Sequence, residues 1–112
     1  MTELRKTIFS TLLSILTLLS IAVFWEQTPL TILCLIVLAV LMILLEENRK
    51  SAAILYFIAF LWGPLAEATA IMAGAWTYSA PDLLGFPFWL PFLWGNAGLF
   101  LGRTKSYWET VF

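Results

Sequence analysis

The sequence contains no histidine, a single cysteine and few charged residues. Only six of its 112 residues are Lys or Arg and seven are Asp or Glu, so the net charge is −1. Without histidine or a cysteine pair, the chain cannot form a zinc site, ligate haem through histidine or close an internal disulfide. Its balanced charge gives no electrostatic reason to bind nucleic acid. We therefore expect no metal, no cofactor and no nucleic-acid partner.

What the sequence does contain is apolar side chains, which make up 62% of the residues, against 12% that are charged. Soluble domains are about 45–50% apolar and about 25% charged. A chain of this composition cannot cover itself with polar surface, so we predict that lipid is its solvent. The expected fold class is all-α, with residues 1–112 forming the single domain of a polytopic membrane protein.

Four apolar stretches are candidates for membrane-spanning helices, because about 20 residues suffice to cross a bilayer. They are residues 7–25, 30–45, 51–78 and 83–102. The second has no polar face and is predicted to be the most lipid-facing. The third is longer than a span needs and is predicted to kink at Pro64. Pro87 and Pro91 are predicted to break the first half of the fourth.

The basic residues predict how these helices are oriented. Four spans place the N-terminus, the 46–50 loop and the C-terminus on one side of the inner membrane, together with all the basic side chains. The opposite side has only Glu26 and Asp82, and the latter is expected to be a turn residue. By the positive-inside rule, both termini are cytoplasmic. The basic residues are Arg5, Lys6, Arg49, Lys50, Arg103 and Lys105.

Small and hydroxyl-bearing residues recur at helical spacing, which predicts seams where helices pack closely. In contrast, the charges between residues 46 and 50 are expected to be a solvated loop, and those after residue 102 a polar tail. The seams of the first, third and fourth helices are, respectively, Thr7, Ser10, Ser14, Thr17 and Ser20; Ala66, Ala70 and Gly74; and Gly95, Gly98 and Gly102.

The stretch from Trp62 to Trp94 is where a functional site is expected. It contains Glu67, the only acid deep inside an apolar span, and intramembrane acids are commonly functional. We place Glu67 slightly outward of the midplane, where burial would favour a neutral carboxyl that donates to the Pro87 carbonyl freed by Pro91. Two interpretations stay open: a proton-carrying group or ligand contact, and a structural hydrogen bond between the third and fourth helices.

Trp62, Glu67, Trp94 and Asn96 are the candidate ligand-pocket residues, and no catalytic residue is predicted. The two tryptophans lie further inside the spans than the others of this stretch, and could line a pocket for a flat or polyisoprenoid ligand. Asn96 can hydrogen-bond across helices. It is expected about 10 Å deeper than Glu67, which argues against a direct contact between the two.

The stretch from Gly74 to Gly95 reads G-x-W-T-Y-x-x-P-D-L-L-G-F-P-F-W-L-P-F-L-W-G. It resembles the helix-turn-helix stretch of small uncharacterised bacterial inner-membrane proteins. More faintly, residues 63–95 look like part of the membrane-embedded carotenoid-biosynthesis hydratases, in which an intramembrane Glu precedes a Gly-aromatic-x-Tyr turn and a Gly-x-Pro element. Those hydratases are longer and have more intramembrane acids, whereas this chain has only Glu67. The resemblance implies a membrane fold more than an activity.

The sequence therefore favours a non-enzymatic four-helix protein of the inner membrane, acting as an oligomer or as an accessory subunit of a membrane complex. One alternative is a protein that binds or processes an apolar lipid or isoprenoid, with Glu67 as acid or polar handle, although acid–base catalysis usually needs a second positioned group. Another is a small proton-coupled transporter or channel. The expected partners are the bilayer, a second copy or another membrane protein, and an apolar lipid or isoprenoid.

Overall fold

The computed structural model describes all residues from 1 to 112 and contains four α-helices and no strands. Helix α1 spans Glu3–Phe24, α2 spans Thr28–Leu44, α3 spans Arg49–Met72 and α4 spans Leu90–Val111. The prediction of an all-α fold with four helices is confirmed.

Short-range sequence signals explain where the helices begin. The side chains of Thr2 and Asn48 accept backbone N–H groups at the starts of α1 and α3, at 3.2 and 3.0 Å. Pro29 and Pro91 lie in the first turns of α2 and α4, where a missing N–H costs no helical hydrogen bond.

Helix α3 ends six residues earlier than the predicted span, which ran to residue 78. Gly74 has a φ of +87°, a left-handed conformation that terminates a helix. Its N–H donates to the Ile71 carbonyl at 3.0 Å, and the Ala75 N–H donates to the Ala70 carbonyl at 2.9 Å. This pair of hydrogen bonds closes the helix end, while α3 runs continuously through Pro64.

Helix α4 also differs from its predicted span of 83–102. Residues 83–89, expected to be its proline-broken first half, form no helix, and α4 begins only at Leu90. At the other end it continues to Val111, so Arg103 lies inside it. The segment predicted as a polar tail is therefore helical.

Helix α4 is the centre of the bundle, because it packs extensively against each of the other three helices, whereas α2 only just contacts α3, and α1 and α3 do not touch. Its glycines allow α3 to approach closely. A Cβ atom at Gly95 would lie 2.3 Å from the ring of Tyr56, and one at Gly98 would lie 2.6 Å from the Ala59 Cβ. The predicted close packing by the glycines of the fourth helix is confirmed.

Two apolar clusters fill the interior, and α2 contributes to both. The uniform apolar sequence of α2 did not show which of its faces is buried. The prediction that it is the most lipid-facing helix therefore missed its contribution to the core. One cluster lies towards the 73–89 loop and the other towards the start of α3. They consist, respectively, of Leu35, Ala68, Phe86, Trp89 and Leu90, and of Ala39, Met42, Ala52, Tyr56 and Leu99.

Most of the apolar surface nevertheless lies outside this interior, since only 22 of 112 residues are buried. Leu18 and Leu61, for example, are 63% and 59% exposed. Helices α1 and α3 are long and apolar enough to cross a membrane, and α2 is apolar but shorter, at 17 residues.

The α3–α4 contact gives a test with a matched control. We expect Gly98→Ala to lower the free energy of unfolding by about 1–3 kcal/mol, because the new methyl group meets the Ala59 Cβ, which cannot rotate away. Gly102→Ala meets only the flexible end of Leu55 and should be neutral or stabilising. Thermal and chemical unfolding in detergent micelles measures both, and equal effects would contradict this packing.

Candidate functional site

Glu67 lies on α3 about 8 Å from the end of the helix at Met72. Both of its carboxylate oxygens accept hydrogen bonds. The Tyr78 hydroxyl donates to Oε1, and the indole Nε1–H of Trp94 donates to Oε2. The half-buried carboxylate thereby joins α3 to the 73–89 loop and to α4.

The sequence of α3 explains how Trp94 reaches this carboxylate. Gly63 precedes Glu67 by four residues and therefore lies on the same face of the helix. A Cβ atom at Gly63 would lie only 2.1 Å from Cδ2 of the Trp94 side chain. Glycine is thus needed for the indole to lie against α3, with its N–H directed at the next helical turn.

The 73–89 loop positions Tyr78 through its own turn structure. Leu84 and Gly85 have φ values of 50° and 85°, and the Asp82 carboxylate accepts the Phe88 N–H at 3.0 Å. Asp82 is therefore a turn residue, as predicted. The turn directs the chain back towards the bundle, where Phe86 and Trp89 are buried in the core.

Tyr78 packs against the core as well as against Glu67. Its ring lies edge-to-face with that of Trp89, at a centroid separation of 6.1 Å. Burial and the hydrogen bond to the Glu67 carboxylate raise the pKa of Tyr78 above its ordinary value. The hydroxyl therefore keeps its proton at neutral pH and serves as a donor. The hydrogen bond between Tyr78 and Glu67 was not predicted from the sequence.

The partners predicted for Glu67 bind elsewhere. The Pro87 carbonyl accepts the Leu90 N–H at 3.0 Å, because the helix starts at Leu90 and no carbonyl is left free by Pro91. The expectation that Glu67 donates to this carbonyl is therefore wrong. Instead, Glu67 is an acceptor for two side-chain donors.

The four candidate pocket residues do not form one site. Trp62 is 68% exposed and, with the half-buried Trp94, lines an apolar groove of about 460 Å³ between α3 and α4. Glu67 contacts Trp94 but does not line this groove. Asn96 lies in the core and is 2% exposed. Its hydrogen bonds go to neither Glu67 nor the two tryptophans.

Asn96 connects three helices through its amide group. Its Nδ2 donates to the Thr17 hydroxyl and to the Leu35 carbonyl, both at 3.1 Å. The prediction of a cross-helix hydrogen bond is confirmed, and two members of the predicted hydroxyl seam of α1, Ser10 and Thr17, are buried. The predicted seam of α3 is wrong within this chain: Ala66 is exposed and Gly74 lies beyond the helix end.

A second polar cluster, at the opposite end of the bundle, was not predicted from the sequence. Arg103 and Lys6 are each only 5% exposed. The Arg103 guanidinium donates to Glu46 and Glu3, and the Lys6 ammonium lies 3.3 Å from both Glu3 and Glu47. These ion pairs join α1, α4 and the α2–α3 loop. The prediction of a solvated loop is therefore wrong for Glu46, which binds a basic residue of α4, whereas Glu47 is exposed and binds one of α1.

We call the space beside these ion pairs the charged cavity. It has a volume of about 550 Å³ and is bordered by Lys6 and Arg103 among other side chains. The buried position of Arg103 could have been predicted from the spacing of residues on α4. Asn96, Leu99 and Arg103 are spaced at i, i+3 and i+7, so Arg103 lies on the buried face of α4.

Comparison with known proteins gives no relative from which a function could be transferred. No protein-family model, curated protein or solved structure matches the chain. Function is therefore inferred from the residues and contacts described above.

The buried ion pairs predict a large difference between two basic residues. Arg103→Met should lower the free energy of unfolding by about 3 kcal/mol, because it leaves Glu46 without a cation and Glu3 with Lys6 alone. Lys105→Met should change it by less than about 1 kcal/mol, since the Lys105–Glu109 pair is exposed. Unfolding in detergent micelles measures both. Equal effects would show that the Arg103 cluster does not stabilise the bundle.

Proposed function

We propose that the protein is a small non-enzymatic protein of the bacterial inner membrane. All four helices cross the bilayer, with both termini in the cytoplasm, and the bundle acts as an oligomer or as an accessory subunit of a membrane complex. The resemblance of residues 74–95 to small bacterial inner-membrane proteins agrees with this proposal.

The distribution of apolar surface supports a membrane location. The most apolar windows of α1 and α3 are only 11% and 22% buried, so these helices are not the core of a soluble protein. Helix α4 packs against the other three and is uncharged from residue 90 to 102. A bilayer that surrounds α1 and α3 would therefore also enclose α4 and α2.

The charges support the orientation. Lys6, Arg103 and the α2–α3 loop meet at one end of the bundle, whereas the other end has only Glu26 and Asp82 as charged residues outside the helices. Basic residues are retained on the cytoplasmic side of membranes. This end is accordingly the cytoplasmic one.

The observation that carries the non-enzymatic part of the proposal is the environment of Glu67. Both of its oxygens are occupied by donors from the same chain, Tyr78 and Trp94. A general acid or base must be within hydrogen-bond reach of the substrate, and both oxygens of Glu67 already accept hydrogen bonds from this chain. A proton carrier must exchange its proton with both sides of the membrane. Glu67 acts instead as a contact that holds three segments of the chain together.

Helix α3 offers the surface for association with another helix. It packs mainly on α4 and does not touch α1, which leaves much of its circumference uncovered. Phe57, Leu61 and Leu65 form one stripe, at i, i+4 and i+8, and are 60%, 59% and 48% exposed. Binding of an apolar lipid is supported by a separate feature, the groove between α3 and α4, and not by Glu67.

The role of Glu67 is tested by a double-mutant cycle with Tyr78. Glu67→Gln and Tyr78→Phe should each cost about 1–3 kcal/mol of stability, and the double variant should cost less than their sum, because they remove the same hydrogen bond. Glu26→Gln, on the exposed α1–α2 turn, is the control. A stable Glu67→Gln variant that abolishes proton flux in liposomes would favour the transporter alternative.

Association is tested by gentle extraction and native mass spectrometry, which should show an assembly heavier than one chain. In a Cys34→Ala background, oxidation should cross-link the Leu61→Cys variant to its neighbour. The Leu19→Cys variant, on a part of α1 that is also exposed, should cross-link much less. A single chain without any cross-link would contradict the proposed association.

A further inference from the structure

The apolar groove and the charged cavity are adjacent to each other. The groove runs between α3 and α4 from the level of Trp62 towards the charged end of the bundle. Leu55, Gly102 and Lys105 line both the groove and the cavity. A ligand that occupies both would therefore have an apolar part in the groove and a charged part in the cavity.

The apolar half has the dimensions of a hydrocarbon chain. Its volume is about 460 Å³, and from Trp94 to Lys105 it follows α4 for about 16 Å. Gly98 lies on its floor, where the absence of a side chain keeps the groove open. Lys105 is the only charged residue in its lining and stands where the groove meets the cavity.

The charged half presents both signs of charge, with neither in large excess. A ligand with only negative or only positive charge would therefore be opposed by part of the lining, whereas a zwitterion can pair with both. The basic residues around the cavity are Lys6, Arg103 and Lys105, and the acidic ones are Glu3, Glu46, Glu47 and Glu109.

Lys105 is the basic residue of the cavity that a ligand can reach. Its side chain is 74% exposed, whereas Lys6 and Arg103 are each only 5% exposed and are already paired with acids of this chain. The carboxylates of Glu47 and Glu109 are exposed as well, at 90% and 63%.

We propose that the groove and the cavity together bind one phospholipid whose head group carries a phosphate and a primary ammonium. One acyl chain lies in the groove. The phosphate lies beside Lys105, where the groove meets the cavity, because it is the charged group nearest to the acyl chains. The ammonium donates to the carboxylates of Glu47 and Glu109. This inference rests on the proposed membrane location of the bundle.

The test is titration of the purified full-length protein in detergent, followed by native mass spectrometry. The probes are dioleoyl phosphatidylethanolamine, dioleoyl phosphatidylglycerol, which lacks the ammonium, and dioleoylglycerol, which lacks the phosphate. Soluble glycerophosphoethanolamine supplies the head group alone. One charge near a membrane surface changes binding by about fivefold. We expect phosphatidylethanolamine to bind at least about fivefold more tightly than each other probe.

Two variants separate the halves of the site. Ala66→Leu places a larger side chain in the groove from an exposed position, with Ala22→Leu on α1 as its matched control. Lys105→Gln removes the charge at the junction, with Lys50→Gln, outside the site, as its control. Each test variant should weaken phosphatidylethanolamine binding about fivefold. The controls should not, and Lys105→Gln should leave dioleoylglycerol binding unchanged.

Three outcomes would overturn the inference. Equal binding of phosphatidylglycerol would exclude a role for the ammonium, equal binding of dioleoylglycerol would exclude the cavity as a head-group site, and wild-type binding by Ala66→Leu would exclude the groove. All of these leave the membrane proposal intact. Recovery of the chain in the aqueous fraction after cell lysis would instead contradict the proposed membrane location itself.

Discussion

A shortage of polar side chains is the constraint on which the rest of the structure depends. The chain has 62% apolar residues and buries only 22 residues in total, so much of its outer surface is hydrocarbon. Three of its interior polar contacts lie at different levels along α4. At each level one residue of α4 joins other segments: Trp94 binds Glu67, Asn96 binds Thr17, and Arg103 binds acids of α1 and the α2–α3 loop. Where hydrophobic surface faces outward, such contacts specify which helices are neighbours.

The glycines of α3 and α4 make these contacts reachable. Gly63 allows the Trp94 indole to lie against α3, and Gly95 receives the ring of Tyr56. A groove lies beside this contact and is adjacent to the charged cavity. Packing that stabilises the bundle therefore also shapes the surface of the proposed lipid site. In the proposed function, Glu67 serves the fold, and the ligand's charged group binds at the opposite, charged end of the bundle.

Much of the fold could be predicted from the sequence, because helix formation is governed by local patterns. The four helices, the hydroxyl seam with Thr17, the cross-helix role of Asn96 and the close packing at Gly98 all follow from spacing within one helix. The remainder depends on contacts between distant residues. The end of α3 at Gly74 determined that Tyr78 folds back to Glu67, and nothing in the uniform sequence of α2 marked its buried face.

The central claim is that lipid covers the exposed apolar surface of α1 and α3. Washing cell membranes with alkaline carbonate tests it most directly, because this treatment removes peripheral proteins and leaves integral ones in the bilayer. The account predicts that the full-length chain stays in the membrane pellet and is released only by detergent. Recovery of the chain in the carbonate supernatant would contradict it.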